Sequence, residues 1–130
     1  MLEDLKEKTE LVKRNRQEVL EELNRRREKW REVVESFLGQ LSAGYNELLS
    51  EVGGSGTVRL VNGHDIEKAG IDLLVGFKGS NPMPLDSLTQ SGGERSVALM
   101  AFLLSLQQHV TCPFRGIDEF DVHMDPKNRE

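Results

Sequence analysis

The sequence predicts an α/β fold carried behind a coiled-coil helix. Three observations lead there. The first fifty residues repeat apolar side chains at heptad spacing, two runs between residues 57 and 77 have strand character, and an apolar helical stretch opens on Ser91-Gly92-Gly93-Glu94. A short apolar-biased run, Phe114 to Ile117, follows that helix, reads as a buried strand and ends in the adjacent carboxylates Asp118 and Glu119.

The N-terminal segment comes first. With position a at Leu2, Thr9, Arg16, Leu23, Trp30 and Phe37, and d at Leu5, Val12, Val19, Arg26, Val33 and Gln40, eight of the twelve seam positions are apolar. A heptad held this long predicts a coiled coil rather than a globular helix. Its flanks are densely charged, as an exposed helix requires. Arg16 and Arg26 fall on the seam, where long stems can lie along a partner helix with their charges in water. The cluster Arg25, Arg26, Arg27, Lys29 and Arg31 could instead meet DNA phosphates, but Glu28, Glu32 and Glu35 lie among these cations. After Phe37 the spacing shifts to Leu41, Tyr45, Leu48 and Val52, a break in the heptad where the coil enters a folded lobe. The expected division is therefore a stem over residues 1–50 and a lobe over residues 51–130.

In the lobe, Gly53-Gly54-Ser55-Gly56 reads as a turn or flexible junction. Thr57 to Val61 and Gly70 to Phe77 read as strands, the second with Ile71, Leu73, Val75 and Phe77 on one face. Asn81-Pro82-Met83-Pro84 is expected to be a loop. His64 and His109 have no companion at metal-ligand spacing and read as structural. Cys112, the single cysteine, is expected to be a buried, inert thiol. From Val97 to Leu106 the helix is apolar nearly all round except at Ser105, so it must be covered on most sides.

Ser91 and Glu94 stand at capping-box spacing, which by itself describes only a well-opened helix. Gly92 and Gly93 add something, because glycine weakens a first helical turn unless bare backbone is needed there. Two missing side chains let a phosphate reach amides at the positively polarised end of a helix. An adjacent Asp-Glu pair, taken alone, reads as a solvated acidic turn. At the C-terminal end of a strand in an open α/β sheet, where ligands bind, it suits Mg-ATP chemistry: Asp118 would hold magnesium and Glu119 would activate water.

Composition sets outer bounds. The formal charge is −5. Residues 1–50 carry ten Lys/Arg against eleven Asp/Glu, and residues 51–130 carry seven against eleven, so the lobe is not a basic DNA-binding surface by composition. No membrane-length apolar run and no signal-peptide pattern occur, and a soluble intracellular protein is expected.

Together these residues resemble a known family. Ser91-Gly92-Gly93-Glu94 resembles the ABC signature motif, Ile117-Asp118-Glu119 the end of Walker B, and Asp121 to Asp125 a D-loop. With Gly70-Ile71 opening a strand, Pro113-Phe114 before the acidic pair and Asn128 after Asp125, the chain is similar to the C-terminal head lobe of the SMC (structural maintenance of chromosomes) ABC-type ATPases. The run Asp-Glu-Phe-Asp-Val-His-Met-Asp is most similar to their DNA-repair branch and its archaeal relatives. Gln90 stands where the family usually has Leu, and His123 and Met124 replace the commoner D-loop residues.

The resemblance implies half of an ABC ATPase head with ATP and magnesium as cofactors. Asp118 would bind magnesium and Glu119 would be catalytic. Gln90, Ser91, Gly92, Gly93 and Glu94 would meet ATP held by a second head, and Asp121 and Asp125 would couple the two sites. No Gly-x-x-x-x-Gly-Lys-Ser/Thr motif occurs in the chain, so the phosphate loop is expected from an N-terminal head lobe, and the chain alone is expected to be inactive. The resemblance further implies a head dimer, DNA and an accessory kleisin-type subunit as partners, and a chromosome-associated location, cytoplasmic, nucleoid or nuclear. Two other readings stay open: the head of a double-strand-break repair type coiled-coil ABC ATPase, and a non-catalytic coiled-coil interaction module.

Overall fold

The structure, a computed structural model, describes residues 1–85 and 90–118. The elements follow in the order α1 (Leu2–Glu51), β1 (Gly54–Val61), β2 (Gly70–Phe77), β3 (Met83–Pro84) and α2 (Gly92–Gln108). The chain divides into two compact units, Met1–Val34 and Glu35–Glu130.

The first unit is helix throughout from Leu2 onward. Most of its apolar side chains, among them Leu5, Val12, Val19 and Leu23, are exposed, while Trp30 and Val34 are half-buried. Ion pairs one turn apart line the surface: Lys13 with Glu10 at 3.0 Å, Arg26 with Glu22 at 2.8 Å, Arg31 with Glu28 at 2.7 Å, and Arg25 with Glu22. Several cations of the Arg-rich cluster are thus engaged by carboxylates of the same helix, each such pair contributing about 0.3–0.5 kcal/mol.

The second unit holds the core. Leu38, Leu41, Tyr45 and Leu49 of α1 are buried, at the spacing of one helical face. They are joined by Val58 of β1, Val75 of β2, and Val97, Ala98 and Ala101 of α2. The sheet described is three-stranded and antiparallel in the order β1-β2-β3, with Gly56 opposite Val75 and Val58 opposite Leu73. Arg59 and Asp72, directly opposite each other, pair at 3.1 Å.

The outer edge of β1 is closed by helix side chains. The amide of Gly56 donates to Asn46 Oδ1 at 3.0 Å and that of Val58 to Ser42 Oγ at 3.0 Å, while Ser42 Oγ lies 2.8 Å from Thr57 Oγ1. Ser42 and Asn46 are one turn apart on α1, so they satisfy alternate edge amides that would otherwise template another strand. Helix α2 is fastened to α1 by Ser105, which is buried and donates to the Leu41 carbonyl at 2.9 Å. A Cβ on Gly44 would lie 2.9 Å from that hydroxyl, so a glycine permits the close crossing.

Several expectations are corrected here. Gly54 to Gly56 are not a flexible junction: they begin β1, and Val52 and Gly53, the latter at φ 73°, turn the chain. A Cβ on Gly56 would come within 2.6 Å of the Leu74 carbonyl, so this glycine serves a close backbone approach. Met83–Pro84 form a short strand rather than a loop. Phe114 to Ile117 are irregular, and Phe114 is 86% exposed. A buried strand needs ladder partners and cover on both faces, and none of β1 to β3 pairs with this run. Cys112 is exposed, its thiol donating to the Phe114 carbonyl at 3.0 Å.

Candidate functional site

Backbone conformation fixes the start of α2. Ser91 is extended, at φ −65° and ψ 161°, and caps the helix. Its Oγ accepts from the Glu94 amide at 3.1 Å, and the Glu94 carboxylate accepts from the Ser91 amide at 3.0 Å. The capping box expected from the spacing is therefore formed in both directions. The Arg95 amide donates to the Ser91 carbonyl at 3.0 Å, and Ser96 Oγ to the Gly92 carbonyl at 3.1 Å.

The same turn is open to solvent. Ser91 and Gly92 are exposed, and a Cβ on Gly92 would meet no atom within 4 Å. Helix polarity favours an anion at this end. Bare backbone, free space and the helix polarity together fit a phosphate group. Arg95 Nε is buried without a hydrogen-bond partner among the described residues.

Beside this turn lies a depression of about 210 Å³ bordered by Phe77, Ser80, Asn81, Met83, Gln90 and Glu94. Gln90 Nε2 reaches toward the Pro84 carbonyl at a long 3.5 Å. Lys78, in the turn after β2, approaches Glu94 at 3.8 Å. Sequence reasoning passed over Lys78, although a cation at a strand end thirteen residues before Ser91 was the available signal.

Asp118 is exposed at a bend. An exposed carboxylate suits magnesium, which keeps much of its water shell and takes only one or two protein carboxylates. Glu119, Asp121 and Asp125 lie outside the described residues. Among the described residues no cluster of His, Cys, Asp or Glu has metal-holding geometry, and no helix is long and apolar enough to cross a membrane.

A buried tyrosine underlies the lobe. Tyr45 is fully enclosed, packs edge-on to Phe102 with ring centroids 6.5 Å apart, and has no hydrogen-bond partner for its hydroxyl among the described residues. Burial pushes its pKa from 10.0 up to about 12.

No protein-family model matches the chain. Individual relatives do. Structural maintenance of chromosomes protein 5 of Caenorhabditis elegans is 42% identical over 127 residues, or 95% of this chain. The Schizosaccharomyces pombe protein of the same name is 36% identical over 128 residues, or 98% of the chain. In each case the chain spans only 12% of the relative's length. Among solved structures, the Smc head domain with an extended coiled coil from Pyrococcus furiosus, bound to the C-terminal domain of ScpA, superposes with a TM-score of 0.70 at 25% identity. That match covers 94% of this chain and 31% of the other. Over nearly its whole length, then, the chain is a homologue of the structural maintenance of chromosomes proteins, and its fold is that of a segment of their head domain.

Proposed function

We propose that this chain supplies the signature half of an SMC-type ATPase head, acting in ATP-dependent head engagement on DNA during chromosome organisation or repair. Residues 1–50 form the stem helix, whose last turns from Leu38 to Leu49 belong to the core of the lobe that residues 51–130 build. The observation that carries the reading is the open, doubly capped turn at Ser91 to Glu94, formed in a chain homologous to SMC proteins.

In this reading Ser91, Gly92 and Gly93 receive the terminal phosphate of ATP held by a second head, with Gln90 and Glu94 framing the turn. The Gly92 and Gly93 amides and the Ser91 hydroxyl offer hydrogen bonds where charge develops on the phosphate. Asp118 holds magnesium, which when bound neutralises phosphate charge. Glu119 orients the attacking water and accepts its proton. Asp121 and Asp125 couple the paired sites. The phosphate loop comes from an N-terminal lobe. The Pyrococcus furiosus head binds ScpA, and a kleisin-type subunit is proposed as a partner of the present chain as well. A chromosome-associated location follows from the same role.

The test uses a complete head, this chain joined to a lobe carrying a phosphate loop. Glu119→Gln keeps ATP binding and head association but slows hydrolysis by roughly two or more orders of magnitude. Ser91→Arg leaves ATP binding to each head intact and abolishes ATP-driven association, because the long side chain fills the phosphate approach. Association that survives Ser91→Arg, or hydrolysis at the parent rate with Glu119→Gln, would sink the assignment.

A further inference from the structure

We propose that Lys78 is a positioning residue for the signature turn, holding Glu94 and offsetting that carboxylate's charge where the opposing nucleotide's phosphate approaches. The inference rests on the signature reading above. It starts from an electrostatic conflict. Glu94 belongs to the first turn of α2, where its charge suits the helix polarity. A triphosphate brought to that turn carries several more negative charges and is repelled by the same carboxylate.

The structure places a cation against it. Lys78 Nζ lies 3.8 Å from Glu94 Oε1, while Glu94 Oε2 accepts from the Ser91 amide. Both carboxylate oxygens are thereby engaged, one by the backbone that caps the helix and the other by the ammonium. The lysine stem is largely exposed, so its charge remains on the solvent side of the turn.

The backbone at Lys78 is a second, independent observation. Lys78 and Gly79 are both left-handed, at φ 56° and 80°, in a turn closed by the Ser80 amide donating to the Phe77 carbonyl at 3.0 Å. A turn with two successive left-handed residues favours Asn-Gly. Lysine carries a Cβ penalty there and brings no local side-chain bond in return. The turn therefore holds a residue worse for its own stability than asparagine, and that residue reaches the signature carboxylate. The small backbone cost at Lys78 is consistent with a side chain kept for its contact with Glu94.

Stability and function can be separated at this residue. In the complete head, Lys78→Asn is expected to leave the melting temperature equal or higher, yet weaken ATP-driven association about two- to fivefold at low salt, as for a partly screened ion pair. High salt should shrink the difference. Lys78→Arg restores association. In a Glu94→Gln background, which keeps the capping hydrogen bond but removes the charge, Lys78→Asn should have no further effect. Association is read by sedimentation, independently of turnover. Undiminished association in Lys78→Asn overturns the proposal, as does a loss that persists with Glu94→Gln or that tracks a fall in melting temperature. Ser91→Arg in the same assay separates the failures. If it leaves association intact, the signature reading itself is wrong; if it abolishes association while Lys78→Asn is silent, only the role of Lys78 falls.

Discussion

Both ends of α1 carry an apolar stripe, and the two stripes meet opposite fates. Before Val34 the apolar stripe of Leu5, Val12, Val19 and Leu23 is exposed, with Val12 at 65%; beyond it, Leu38, Leu41, Tyr45 and Leu49 are buried to within 3%. The change of spacing after Phe37 marked where they part, but not every buried residue, since Leu38 and Leu49 are enclosed while Val52 is exposed. A helical stripe lowers free energy only where another surface removes it from water, and a heptad seam needs a second helix for that. In the second unit, the sheet and α2 supply the cover. The ion pairs along the first unit keep a long exposed helix helical, but each is too weak to replace a core.

The sharpest way to break this contrast is to truncate one residue on each side. Leu41→Ala is expected to destabilise the lobe by about 2–5 kcal/mol, since it removes a buried side chain and leaves a cavity. Val12→Ala, by the same chemistry in an exposed position, should change the chain's stability by less than about 0.5 kcal/mol. Denaturant unfolding measures both. A comparable loss from Val12→Ala would show that the stripe is already covered, by self-association for example.

Glycines sharpen it further. Gly56→Ala puts a methyl group against the Leu74 carbonyl and the Tyr45 and Leu49 side chains, and should cost about 1–3 kcal/mol as overpacking does. Gly39 is in the same helix as Gly44, and a Cβ there would meet nothing within 4 Å. Gly39→Ala should therefore stabilise by about 0.5–1 kcal/mol through helix propensity. Opposite shifts in melting temperature are expected for the two variants.

The smallest effect at neutral pH concerns Tyr45, whose consequence appears chiefly at high pH. A folded pKa of about 12 against the ordinary tyrosine value of 10.0 means that the folded state holds this proton more tightly. Its contribution to stability is full below pH 10 and is lost as pH rises toward 12. Tyr45→Phe should be near neutral or slightly stabilising at pH 7, because it removes a buried hydroxyl that has no partner among the described residues. It should also flatten the decline between pH 10 and 12. Unfolding titrations of the two proteins across that range decide the matter, and equal slopes would show that the hydroxyl titrates as an exposed one.

Much of the candidate site was legible because its signals are local. The capping box follows from the spacing of Ser91 and Glu94 and is formed as read, and the limits of β2 match the predicted run from Gly70 to Phe77. Periodicity also marked α1 nearly to its last residue. Lys78 was not legible as part of the site, because its approach to Glu94 depends on how the turn after β2 lies against the start of α2. Ser105 appeared in the sequence only as an interruption of an apolar face.

What the sequence determined by itself is therefore α1, most of β1, β2, α2 and the capped turn at Ser91, since helix caps, heptads and strand alternation arise within a few residues of chain. Tertiary structure alone decided which residues of α1 beyond Phe37 are buried, why Gly56 and Gly44 must be small, that Ser42 and Asn46 close the edge of β1, and that Phe114 to Ile117 do not form a strand. Each of these depends on surfaces brought together from distant parts of the chain. Burial free energy and backbone hydrogen bonds are realised only when the partner surface is present.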